Sequence, residues 1–144
     1  MKRFIVAVIV AGAAVLALSA QFVEASPTES PQTVVSRQQV IAKVLALKKE
    51  ILAANRSAAK QLTAAEFEVG IAQTHTTPTN YDPARQIWAV AIGGQVMPQF
   101  SRGKTFNYAI YIVDAQTGTI TGTLAGNAGS WPLNFDSLPD HGAP

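Results

Sequence analysis

The chain has 144 residues, with 11 Lys or Arg against 9 Asp or Glu and no cysteine. This length suits one compact core, and the near-balanced charge gives no basic surplus for nucleic acid. The missing thiols exclude any disulfide and any lipid attached through an amino-terminal cysteine.

Lys2 and Arg3 precede an uncharged apolar run from Phe4 to Leu18. These are the basic and hydrophobic regions of a signal peptide, expected over residues 1–25 with cleavage before Ser26; Ala17-Leu18-Ser19 is the alternative cut. The competing reading is a retained anchor, because about 20 apolar residues span a bilayer and Ser19 and Ala20 nearly complete that length. Cleavage would remove Lys2, Arg3 and Glu24 and leave nine basic against eight acidic residues. The basicity therefore belongs mainly to the targeting region. No nucleic-acid partner is expected, and membrane association is expected only if the amino-terminal helix stays uncleaved.

Residues 26–35 are polar, with Pro27 and Pro31 and no apolar periodicity, and read as a flexible linker. A single domain is expected over residues 36–138, followed by a disordered tail, 139–144. Ser36 followed by Gln39 has the form of a capping box. Val40, Ile41, Val44, Leu45, Leu47, Ile51 and Leu52 recur at helical spacing, predicting a helix from Arg37 to Ala54 with Lys43, Lys48, Lys49 and Glu50 on its wet side. The segment from Ala58 to Leu62 is open between a short strand and a second helical piece. Thr63 and Glu66 repeat the capping-box pattern and predict a short helix through Phe67 and Val69, ended by Gly70.

From Gln73 to Arg85 the threonines, prolines and Tyr81-Asp82-Pro83 predict a loop, a candidate recognition surface. Ile87 to Ile92 reads as a strand apolar on both sides, with Trp88 as a core residue rather than a stacking platform and Gly93-Gly94 as its end or a bulge. Gln95 to Asn107 is irregular, and its Arg102 and Lys104 are either solubilising charges or contacts for an acidic partner. Tyr108 to Val113 alternates as a second strand. Asp114-Ala115-Gln116-Thr117-Gly118 reads as a turn in which Asp114 is an acceptor and Gly118 takes a positive backbone angle, returning the chain through Thr119 to Leu124. Trp131, Leu133, Phe135 and Leu138 are expected to fold back across an open edge of the core. Trp131 beside Pro132 has an alternative role as an aromatic contact for a peptide.

The helix beginning at Arg37, the segment Trp88-Ala89-Val90 and the run Val113-Asp114-Ala115-Gln116-Thr117-Gly118 together resemble the PepSY family, over about Val34 to Leu124. That resemblance implies an α+β fold with a helix packed on a small antiparallel sheet, in a cystatin-like arrangement without catalytic apparatus. It also implies a protease-inhibitory or regulatory role. The connections from Gly70 to Arg85 and from Gln95 to Asn107 are longer than a minimal unit of that family.

His75 and His141 have no second histidine or cysteine at metal-ligand spacing. Asp114 lacks the oxygen-rich calcium loop, and no serine sits in a nucleophile elbow. A hydrolase would have to assemble His75 or His141, Asp114 and a serine from distant positions. No catalytic, cofactor or metal site is expected. The leading expectation is a secreted, non-enzymatic binding or regulatory domain for an extracytoplasmic protein or peptide. Its candidate contacts are Tyr81, Trp88, Arg102, Lys104 and Trp131. The alternative is an envelope-associated structural protein held by its uncleaved amino-terminal helix.

Overall fold

The computed structural model describes residues 35–71 and 82–142. The expected signal peptide, nearly all of the linker, His75 and Tyr81 lie outside them.

Helix α1, Arg37–Leu45, starts where the sequence placed it: Gln39 N donates to Ser36 Oγ and Ser36 N donates to Gln39 Oε1, closing the capping box. It stops nine residues short of the expected end. Lys48 N bonds Ala46 O, Glu50 N and Ile51 N bond Leu47 O, and the chain turns into strand β1, Ile51–Thr63. The Ile51-Leu52-Ala53-Ala54 segment has good helix formers. Pairing with strand β2, Gln86–Val96, overrides that preference because it seats Ile51, Ala59 and Leu62 in the core. The ambiguous Ala58–Leu62 segment is the carboxyl-terminal half of this long strand.

Helix α2, Ala64–Ile71, carries the second capping box: Glu66 N donates to Thr63 Oγ1, and Thr63 N donates to Glu66 Oε2. It runs through Gly70 rather than ending there. Strand β3, Phe106–Asp114, and strand β4, Ile120–Gly126, complete an antiparallel meander in the order β1-β2-β3-β4. The β2–β3 connection contains one 3-10 turn, Gln99–Ser101. Gly93-Gly94 does not end β2: the register with β3 slips between Gly93 and Val96, leaving a bulge at Gly94-Gln95 with Gly94 at φ 127°, and the facing stretch of β1 is irregular at Leu52 and Asn55.

The alternation of β2 and β3 sends side chains to two separate cores. Trp88, Val90, Ile92, Ala109, Tyr111 and Val113 face Val40 and Val44 of α1. Ile87, Ala89, Ala91, Ile110 and Ile112 face Phe67 and Ile71 of α2 together with Phe135 and Leu138. Both strands are apolar on both sides because both faces of the sheet are covered.

Two expectations at the carboxyl end need correction. Phe135 and Leu138 fold back onto the core as expected, covering the sheet face opposite α1, but Leu133 stays exposed rather than joining them. Residues 139–142 are not a free tail. Arg37 pairs with Asp140 at 3.0 Å, Gln61 N donates to Asp140 Oδ1, and His141 N donates to Gln61 O. A tail that satisfies both backbone groups of Gln61 is held in place of solvent.

Candidate functional site

The two outer strands of the sheet are treated differently. The edge of β1 carries Arg56 and Lys60 and is met by the chain's own carboxyl-terminal segment: Lys60 Nζ donates to Asp136 O and Leu138 O, and Gln61 is bonded by Asp140 and His141. Charge and cover are the usual means of blocking an edge. Strand β4 has β3 on one side and no strand on the other among the described residues. Its sequence, Ile-Thr-Gly-Thr-Leu-Ala-Gly, has neither charge nor proline.

A groove of about 430 Å³ opens beside β4. It exists because α1 is short and packs on β1 and β2, which leaves the helix side of β3 and β4 partly uncovered. Ile120 to Thr123 form one wall, Leu47 and Glu50 of the α1–β1 turn and Phe100 of the 3-10 turn form the other, and Tyr111 is the floor. Thr123 lies opposite Tyr111 in the ladder and so shares its face.

At the polar centre of the groove the buried Tyr111 hydroxyl donates to Glu50 Oε2 at 3.1 Å. Burial, followed by the charge of Glu50, pushes the Tyr111 pKa well above the usual phenol value, so the hydroxyl stays a donor. Phe100 stands at the rim, 57% exposed, with its ring 6.3 Å from that of Phe106. The site therefore offers an apolar floor, a carboxylate and an adjoining run of strand backbone. These are recognition elements for an extended chain.

The contacts expected from sequence do not converge here. Trp88 is 2% exposed beneath α1, with the Arg37 guanidinium 6.0 Å from its ring centre, and so fills the packing role. Arg102 and Lys104 are exposed in the β2–β3 connection, Arg102 in the left-handed region at φ 51°. Trp131 is half-buried on the opposite face: Arg56 stacks 3.9 Å from its ring centre, Phe135 meets it edge-on, and its Nε1 donates to Asp136 Oδ1.

Asp114 and Gly118 take the structural roles read from the turn. Gln116 N and Thr117 N donate to Asp114 Oδ1, Gly118 N donates to Asp114 O, and Gly118 has φ 68°. Arg85 pairs with Asp114 Oδ2. Burial pushes the Asp114 pKa up, but the hydrogen bonds from Thr117, Arg85 and Gln116 outweigh it and hold the carboxyl below its ordinary value. His141 binds Glu66 at 2.9 Å rather than Asp114. Among the described residues no three His, Cys, Asp or Glu side chains form a metal-binding group, and no helix is long and apolar enough to cross a membrane.

Glu50, Phe100, Tyr111 and Thr123 were not legible as a site. By sequence Glu50 reads as one more charge on a solvated helix face, and it meets Tyr111, 61 positions later, only because α1 ends early. No family model, curated protein or solved structure matches this chain.

Proposed function

We propose that this chain is an exported, non-enzymatic binding or regulatory module that holds an extended segment of another protein along β4. The observation that carries the reading is the asymmetry of the sheet: the β1 edge is charged and covered by the chain's own tail, whereas β4 is uncharged and borders a groove. Backbone hydrogen bonds to a strand edge supply affinity without regard to sequence, and alternate side chains entering the groove supply selectivity. Export rests on Lys2, Arg3 and the apolar run from Phe4 to Leu18. The PepSY-like, cystatin-like arrangement belongs to the same proposal. A helix packed on an antiparallel sheet and the Asp114–Gly118 turn support it, and α2 with the carboxyl-terminal cover departs from its minimal form.

A photo-crosslinking residue placed at Thr123 in the full chain tests this in the exporting cell, with the same residue at exposed Val69 as the control. A discrete adduct at position 123 whose partner peptide is identified by mass spectrometry is expected. Adducts at position 69 alone, or none at 123 with the protein folded and exported, would reject β4 as the docking edge. A mature chain beginning near Ser26 is expected in the same sample, and an intact amino terminus in washed membranes would favour the envelope-anchored structural protein instead.

A further inference from the structure

Resting on that reading of β4, the groove chemistry defines what the docked strand must carry. We propose that the groove selects an extended peptide with one lysine or arginine, whose cation is received by Glu50. Of the other carboxylates described, Asp114, Asp136 and Asp140 each have an arginine and Glu66 has His141, while Asp82 is exposed and accepts from Ala84 N, and Glu68, half-buried on α2, does not line the groove. Glu50 is half-buried and lines a cavity, yet its only side-chain partner among the described residues is the neutral Tyr111 hydroxyl, on Oε2. Oε1 has no partner among the described residues. Lys48 and Lys49, next in the chain, are exposed on the turn and do not line the groove, which contains no basic side chain.

A half-buried carboxylate left with one neutral donor favours an incoming cation with hydrogen-bond donors. Tyr111 fixes the orientation of Glu50, because the phenol stays protonated and holds Oε2 while Oε1 remains available. The geometry also sets the length of the ligand side chain. A strand added to β4 lies about 4.8 Å beyond it, so only a long side chain lying across the β4 wall reaches Glu50. Leu47 and Ile120 line the path for its aliphatic stem, and Phe100 at the rim has an exposed aromatic face for the same stem or for a guanidinium. Glutamate at that peptide position would meet Glu50 as a like charge.

Selection of a displayed library of random nine-residue peptides on the full chain tests this, followed by affinity measurement of the enriched sequences. Each is remade with lysine, norleucine or glutamate at the enriched position, and all are measured on the wild type, Glu50→Gln and Tyr111→Phe. The expected result is enrichment of Lys or Arg at one position and about tenfold weaker binding of the norleucine peptide to the wild type. In Glu50→Gln that difference should disappear while the norleucine peptide keeps its affinity. Tyr111→Phe should narrow the difference without abolishing it. Peptides that crosslink at Thr123 but bind equally with lysine and norleucine would overturn the basic-residue inference and leave β4 docking intact. Enriched peptides that fail to crosslink at Thr123 would overturn both. Thermal melting of the two variants, expected to be cooperative, shows that the comparison is made on folded protein.

Discussion

The Tyr111 hydroxyl and the Glu50 carboxylate meet at 3.1 Å on the helix side of the sheet, joining the third strand to the turn that precedes the first. The phenol is buried and faces a negative charge, so its pKa is raised in the folded state above the unfolded value of 10.0. Its contribution is fully present below pH 10 and is lost as the pH rises through the folded value. Urea midpoints measured at pH 8 and pH 10.5 should show alkaline destabilisation of the wild type that is smaller in Tyr111→Phe. Tyr108, whose pKa is also raised by burial, adds to the slope that remains.

Asp114 governs the opposite end of the pH range. Its folded pKa lies below the unfolded 3.8, so its stabilisation is complete above that value and is lost as the pH falls through the lower folded one. Asp114→Asn should cost about 2 kcal/mol at pH 7, from loss of the charge-assisted bonds with Arg85 and the turn amides. Its stability should then fall less steeply between pH 5 and 2 than that of the wild type. Glu66, lowered chiefly by the Thr63 backbone bond and then by His141, leaves part of the acid slope in place.

Gly94 is expected to tolerate no side chain. At φ 127° an added Cβ would lie 2.0 Å from Ala53 O, a backbone atom of the neighbouring strand. Gly94→Ala should lower stability by about 2 kcal/mol or more, whereas Gly103→Ala, with nothing within 4 Å of its Cβ, should cost about 1 kcal/mol from its positive φ alone. Chemical denaturation of the two variants separates the bulge requirement from backbone strain.

The carboxyl-terminal segment should behave as part of the core. Phe135 is fully buried among Phe67, Ile71 and the far face of β2 and β3, so Phe135→Ala should cost about 3 to 4 kcal/mol. Removal of residues 139–144 should cost less and should raise hydrogen exchange at Gln61, whose backbone groups are bonded by Asp140 and His141.

The parts of the fold that sequence revealed are those fixed by local rules. Both capping boxes, the Asp114–Gly118 turn and the alternation of β2 and β3 depend on residues within a few positions of one another. The first strand was hidden because Ile51 to Ala54 continue the apolar spacing of α1, and only pairing with Val96 and Gln95 decides between helix and strand. The amphipathic Trp131 to Leu138 segment showed that it would be buried, but not against which face, since α2 and the far side of the sheet are assembled from distant parts of the chain. The groove was invisible for the same reason: its walls come from four separate segments, and its carboxylate read locally as one more solvated charge.

Backbone amide chemical shifts, followed while the peptide captured at Thr123 is titrated into the protein, show whether β4 is the docking edge. Saturable changes concentrated along Ile120–Gly126 and at Glu50 are expected, with Thr123→Lys weakening the interaction and leaving the rest of the spectrum folded. Changes confined to Trp131–Leu138 or to Arg102–Lys104, with β4 unmoved at saturation, would contradict docking at β4.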